Sequence, residues 1–502
     1  MPDNNQSYET LRPAGTSERR CIMRHALGYY RALIVTGRYT MPDGFYFNKE
    51  SFYPALKHCI STHPMLSAAI KGEQTEAPEF IRPATLNLSD HVEFLESIQP
   101  ANAGMHAELE ALKPRLCHTH DQLFSNVDSV PPWKIVVVPI ANDANPNACW
   151  ILFSYSHSHG DGPSALFFHR TFLHALRDPS LTPSTTTNPI FTPPATPLLA
   201  PIELTVPLPI TWSFLLPVLS SYLPTALSTL LPRLFRASVT PQTPDTWAGT
   251  PTAYDAPAFR TGAAFAVAAP ATVAALLRQC RARRGVKLTG VLHALAVRAL
   301  GASLPADGRA RAFVAQTAVD LRRLVPGDAW RGAFGLGVSV AYHAFPRADA
   351  AAAAAFDEAF WASAKETTAH LAERAGTLVD QPIGLLRYLR SFRGWLEGMM
   401  GKTRDSSYEI SNILVFDPEE GEQRSGGGGG GGWGIDGMVF SQPANATGSP
   451  VNFNVVTTKG GDMVVSLTWQ KGVLGVEQDE DEWAKRVCGH LERDMEALAE
   501  EK

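Results

Sequence analysis

Apolar positions along this chain follow two periods, and the switches between them mark the elements. Over residues 51–62, Leu56 and Ile60 fall four apart on one helical face, and His63-Pro64 ends the run because a residue before proline avoids the helical region. Residues 133–139 and 148–156 are short runs rich in aromatic and β-branched side chains, which predicts two strands around the turn-forming stretch 142–147. A polar stretch follows, then a helix over 163–176 with Pro163 in its first turn. Residues 178–200 are rich in Thr, Ser and Pro and read as a linker.

The pattern resumes near Trp247. It predicts helices over 270–284, 288–300 and 348–374, a strand over 312–318, and strands over 409–416 and 451–458. The last pairs in a hairpin with 462–469 across Gly460-Gly461, and an acidic helix over 479–501 closes the chain. The consecutive glycines at 426–432 read as a surface loop. Strands and helices interleave in two halves, so the expected class is α/β with two lobes. The divisions are an N-terminal lobe at 1–178, a linker and apolar crossover at 179–246, and a C-terminal lobe at 247–502.

The segment 204–235 is very apolar, but Pro207, Pro209, Pro217, Pro224 and Pro232 break it into pieces far short of the ~20 residues of a spanning helix. Short buried helices are the plain reading. A peripheral membrane contact, or a flap over the acceptor's path built on Trp212, Phe214 and Leu215 with Tyr222 and Leu223, is the functional one. The net charge of −5 gives no global field for nucleic acid. Arg278, Arg281, Arg283, Arg284 and Lys287 form a local basic run, a solvated helix end or a landing site for an anionic carrier. The six cysteines are scattered without a Cys-x-x-Cys pair, and the first twenty residues lack the apolar core of a signal peptide. A reduced, cytoplasmic monomer is therefore expected, with the sequons at Asn5, Asn87 and Asn445 unused.

Between the strand at 148–156 and the following helix lies Tyr155-Ser-His157-Ser-His159-Gly-Asp161-Gly162-Pro163. A strand-to-helix junction can hold a side chain rigidly at a sheet edge, and histidine titrates near neutrality, so His157 is a candidate general base. Asp161 would pair with an arginine to hold the turn, and Gly162 would permit its tight geometry. On the plain reading, His157 and His159 are surface turn residues.

This His-x-x-x-Asp-Gly motif and its surroundings resemble the fungal alcohol O-acetyltransferase family, in the superfamily of chloramphenicol acetyltransferase and peptide-synthetase condensation domains. The resemblance runs through Leu11-Arg-Pro, Arg24-His25-Ala-Leu-Gly-Tyr-Tyr, His63-Pro64-Met-Leu66-Ser67, Pro131-Pro132-Trp133, Trp247-Ala-Gly249, Val319-Asp320-Leu321-Arg322, Glu409-Ile-Ser411-Asn412 and Val439-Phe-Ser441-Gln442. It implies two chloramphenicol-acetyltransferase-like lobes, each a mixed sheet with flanking helices, with an active-site tunnel between them. It also implies His157 as catalytic histidine and Asp161 as structural aspartate. Two positions depart from the superfamily pattern: Ser156 stands where many relatives have histidine, and Thr62 where condensation domains place the arginine that pairs with the aspartate. Arg322 is the candidate partner instead.

The implied reaction moves an acyl group from acetyl-CoA, or from another acyl thioester including one on a carrier protein, to the hydroxyl of a small alcohol or natural product. No permanently bound cofactor or metal is required, and a direct transfer without an acyl-enzyme is expected. Ser411, Asn412 and Ser441 are candidates for the oxyanion donor or for tunnel lining, against the plainer reading of edge-of-strand polar residues. Two rivals remain. His157-Ser-His159-Gly-Asp161 also resembles the zinc signature of metallo-β-lactamase-like hydrolases, although Gly162 replaces its closing histidine and only the upstream His118 and His120 could substitute. The other rival is a non-catalytic, ligand-binding member of the same fold.

Overall fold

Each apolar run forms the element that buries it. The computed structural model describes residues 8–45, 47–141, 147–181, 188–220, 239–305, 308–347, 356–420 and 432–501. The N-terminal half supplies α1 (Thr16–Ala26), β1 (Leu33–Thr40), α2 (Tyr53–Thr62), β2 (Val92–Phe94), α3 (Met105–His120), β3 (Trp133–Pro139), β4 (Ala148–Tyr155) and α4 (Gly162–Arg177). The C-terminal half supplies β5 (Thr261–Ala268), α5 (Pro270–Ala282), α6 (Leu288–Ser303), β6 (Ala312–Asp320), β7 (Val338–Pro346), α7 (Glu358–Ala375) and β8 (Tyr408–Phe416). It continues with β9 (Gly434–Ser441), β10 (Val451–Thr458), β11 (Met463–Gln470) and α8 (Glu480–Glu500).

Two mixed sheets carry the lobes. One runs β5-β11-β10-β8-β6-β7, with parallel pairs at β10-β8 and β8-β6. The other runs β9-β1-β4-β3-β2, in which β9 crosses from the C-terminal half to pair antiparallel with β1, Val439 opposite Thr36. The apolar pattern does not announce β9 as a strand; only the family-like fragment around Ser441 points to one. Its bulge between Ile435 and Gly437 breaks the alternation, and its buried residues face a partner from the other half of the chain.

Every residue of β10 and β11 is buried, because both faces of this hairpin are covered. Val451, Phe453 and Val455 join Leu276 of α5, Leu295 of α6 and Leu491 of α8 in one core cluster. On the opposite face, Val464 packs with Ala263, Phe265, Val439, Ile34 and Trp150 in a cluster shared by both sheets. Ser466 Oγ reinforces that seam by donating to Phe440 O at 2.6 Å.

The helix expected over 348–374 begins, within the described residues, at Glu358. Asp357 caps it by accepting from Phe360 N at 3.0 Å, while 348–355 lie outside the described residues. Of the glycine run, 426–431 also lie outside, as do Tyr222 and Leu223. No helix among the described residues is long and apolar enough to cross a membrane.

Candidate active site

β4 ends at Tyr155, and the chain turns through Ser156–Gly160 before Asp161 caps α4. The Asp161 carboxylate accepts from Ser164 N at 3.2 Å and from Ser164 Oγ at 2.8 Å, satisfying the first turn of the helix. Tyr155 Oη donates to Asp161 O at 2.7 Å and fixes the junction from the strand side.

Asp161 also joins the two halves of the chain. Arg322, just past β6, grips it bidentately at 2.8 Å through both Nη1 and Nη2, and Gly337 N donates to it at 2.9 Å. Arg322 Nη2 also donates to Gly335 O at 2.8 Å. Burial pushes the carboxyl's pKa up, but Arg322, Gly337 N–H and Ser164 outweigh it, so Asp161 stays ionised with its pKa below the usual value. Thr62, the position of the condensation-domain arginine, is exposed and donates only to His58 O.

Two predictions arise here. Asp161→Asn keeps the shape but removes the charge facing a buried guanidinium, and breaking such a pair costs about 3–5 kcal/mol. Denaturant unfolding should show that loss, with activity falling alongside; native stability would mean the pair is dispensable. At Gly162 the constraint is space rather than backbone angle, since an added Cβ would stand 2.4 Å from Ile413 Cγ2 on β8. Gly162→Ala should therefore cost about 1–3 kcal/mol, and an unchanged melting temperature would refute that reading.

His157 differs from its neighbours in the turn. It is half-buried, and its Nδ1 is sealed from solvent with no partner beyond its own backbone. Burial first, then the guanidinium charges of Arg24 and Arg20, hold its pKa down at about 4, so the ring is neutral at pH 7. His159 is fully buried and spent: Nε2 meets Ala68 O at 2.8 Å and Nδ1 meets Ser158 Oγ at 2.9 Å. His120 is equally committed, to Ala32 O and Ser441 Oγ, both at 2.7 Å. His118 is exposed. With Asp161 held by Arg322, the donor set does not fit zinc, and no group of three His, Cys, Asp or Glu side chains gathers among the described residues.

The other candidates divide. Ser411 Oγ donates to Glu409 Oε1 at 2.8 Å, and Ser441 supplies the hydrogen in its bond to His120 Nε2, because His120 Nδ1–H is given to a carbonyl. Asn412 binds Thr289 Oγ1 at 3.2 Å and Leu414 N at 2.9 Å, stabilising the irregular end of β8 where Leu414 has φ +69. Trp212 is largely exposed, Phe214 half-buried and Leu215 buried, on a helix (Trp212–Ser220) preceded by Thr211, which Asp380 binds twice. Of the basic run, Arg283 stacks on Trp361 at 3.6 Å, while Arg278, Arg281, Arg284 and Lys287 are exposed.

Five side chains linked through Tyr30 and Glu409 carry no site role in the sequence reading. Tyr30 lies against the imidazole, ring centroids 5.6 Å apart, and donates to Gln442 Oε1 at 2.9 Å. Gln442 Nε2 donates to Glu409 Oε1 at 2.8 Å, and Gln316 Nε2 to Glu409 Oε2 at 2.9 Å. Arg24 of α1 stacks its guanidinium 4.3 Å from the Tyr30 ring centre. The available signal was the fragment Arg24-His25-Ala-Leu-Gly-Tyr-Tyr, with Arg20 and Arg24 one helical turn apart.

A family model described as alcohol acetyltransferase matches residues 13–494. The probable alcohol acetyltransferase FCK4 of Fusarium pseudograminearum is 25% identical, covering 94% of each chain. The probable alcohol acetyltransferase crmB of Aspergillus fumigatus is 24% identical over 84% of this chain and 86% of its own. Among solved structures, TRI3 trichothecene 15-O-acetyltransferase of Fusarium sporotrichioides superposes with a TM-score of 0.62 at 12% identity, covering 97% of this chain and 94% of its own. The EpoB cyclization-docking bidomain of Sorangium cellulosum gives 0.56 at 14%, covering 98% and 87%. At such identities the likeness is one of fold.

Proposed function

Because the chain belongs to the alcohol acetyltransferase family, we propose that it moves an acetyl group from acetyl-CoA to the hydroxyl of a small alcohol or natural product, with His157 as general base. The observation that carries this reading is the state of His157: neutral, half-buried, and the one histidine of its turn not committed to another residue. A neutral imidazole accepts the acceptor's hydroxyl proton as the oxygen attacks the thioester carbonyl. The tetrahedral intermediate then expels the CoA sulfur, and the imidazolium returns its proton to that thiolate. Asp161 and Arg322 act at one remove, by fixing the turn that aims the ring.

Since Ser411 and Ser441 have their hydroxyl hydrogens engaged elsewhere, the oxyanion would draw on a different donor. Trp212, Phe214 and Leu215 are proposed to flank the acceptor's path.

Acetyl-CoA with a panel of primary and secondary alcohols tests the reading, following released thiol and product mass together. Ester formation that depends on His157 supports it. Thiol release without ester would indicate hydrolysis, and no turnover with any acyl-CoA would favour a non-catalytic binder.

A further inference from the structure

Arg24 is a buried charge without a counter-ion of its own. The residue is 7% exposed, its Nε is sealed from solvent without a partner, and among the described residues its guanidinium makes no hydrogen bond or ion pair. The nearby Glu409 carboxylate is taken up by three neutral donors, Ser411 Oγ, Gln442 Nε2 and Gln316 Nε2. Arg20, one turn earlier on α1, is half-buried and likewise lacks a carboxylate partner among the described residues. The Tyr30 ring touches both the Arg24 guanidinium and the His157 imidazole. An unpaired buried guanidinium is costly, and it is best rationalised by an anion that arrives with a ligand.

From this juxtaposition we propose that Arg24, assisted by Arg20, is a specificity site for a carboxylate on the acyl acceptor, so that the preferred substrates are hydroxy acids. The inference rests on the acetyl-transfer reading, in which the acyl group carries no charge and the anion belongs to the acceptor. The CoA phosphates are unsuited to the site, because a whole pantetheine arm separates them from the reacting carbonyl. With Nε sealed, the edge left to grip a carboxylate bidentately is the one formed by Nη1 and Nη2.

The test is a series of hydroxy acids from 3-hydroxybutyrate to 10-hydroxydecanoate, each paired with its methyl ester, assayed with acetyl-CoA. In the wild-type protein at least one acid should exceed its ester in kcat/KM by about 10- to 100-fold, the value of a charge-assisted contact. Arg24→Met should collapse that acid-to-ester ratio toward one, chiefly through KM of the acid, and Arg24→Lys should restore part of it.

Esters used as well as acids by the wild-type protein would overturn the proposal, with no variant needed. Equal loss of kcat on acid and ester in Arg24→Met would overturn it too, by placing the charge on the transition state. So would an Arg24→Met effect confined to KM for succinyl-CoA against acetyl-CoA, since the anion would then sit on the donor. Neutral alcohols acetylated at full rate would leave the acetyl-transfer reading intact in all three cases, whereas no transfer to any acceptor would remove both.

Discussion

Replacing His157 with alanine is expected to lower turnover by about 10²–10⁴-fold while the fold survives, that range being the usual worth of a positioned general base. Its ring makes no hydrogen bond to another residue, so its removal strands no buried partner. Circular dichroism should therefore be native. The pH dependence is the sharper readout. With the ring's pKa held at about 4, kcat/KM should stay level as pH falls through 6.5, and a limb set by His157 should appear only near pH 4. A limb at 6.5, or near-normal turnover in the variant, would take His157 out of the mechanism.

Loss of the folded state in mild acid is the second large effect expected. His63, His91, His120, His159 and His169 are buried with pKa values lowered to about 4, and His293 to about 3, in each case by burial. Four of them have both ring nitrogens engaged with carbonyls or hydroxyls, which suits the neutral form. The sign follows from proton uptake. Below pH 6.5 the unfolded chain binds protons that the folded chain cannot, so stability is complete above about 6.5 and lost as pH falls. Each histidine forfeits roughly 3 kcal/mol across its window, at about 1.4 kcal/mol per pH unit. Even a third of the sum rivals the total stability of about 5–15 kcal/mol typical of a folded protein. Denaturant midpoints measured from pH 7.5 to 4.5 should fall steeply as pH is lowered. A flat profile down to pH 5 would show that these rings protonate without penalty. Kinetic assays in this range need brief exposure to acid, so that titration of the base is read before unfolding.

The lobes and the turn between β4 and α4 were legible because their patterns are local. The strands at 133–139 and 148–156 show their own apolar runs, and Pro163 announces α4. What joins distant parts was harder to read. Arg322 could be put beside Asp161 only through a family-like fragment, since 161 positions separate them, and its bidentate geometry is a property of the folded chain. Ser411 and Ser441 both lie on strands, but sequence position does not show that their hydroxyl hydrogens go to Glu409 and His120. No local pattern reveals that Tyr30 lies against His157 or that Arg24 stacks on the Tyr30 ring.

The passage of β9 into the N-terminal sheet bears on how this chain is made. Until residues 434–441 emerge from the ribosome, β1 has no neighbour on one side and presents an open edge of unpaired amides and carbonyls. Closing so long a loop is slow, and exposed edges invite association between nascent chains. Expressing 1–178 alone should thus yield an aggregation-prone fragment, and a synthetic peptide spanning 434–441 supplied in trans is the natural means of capping it.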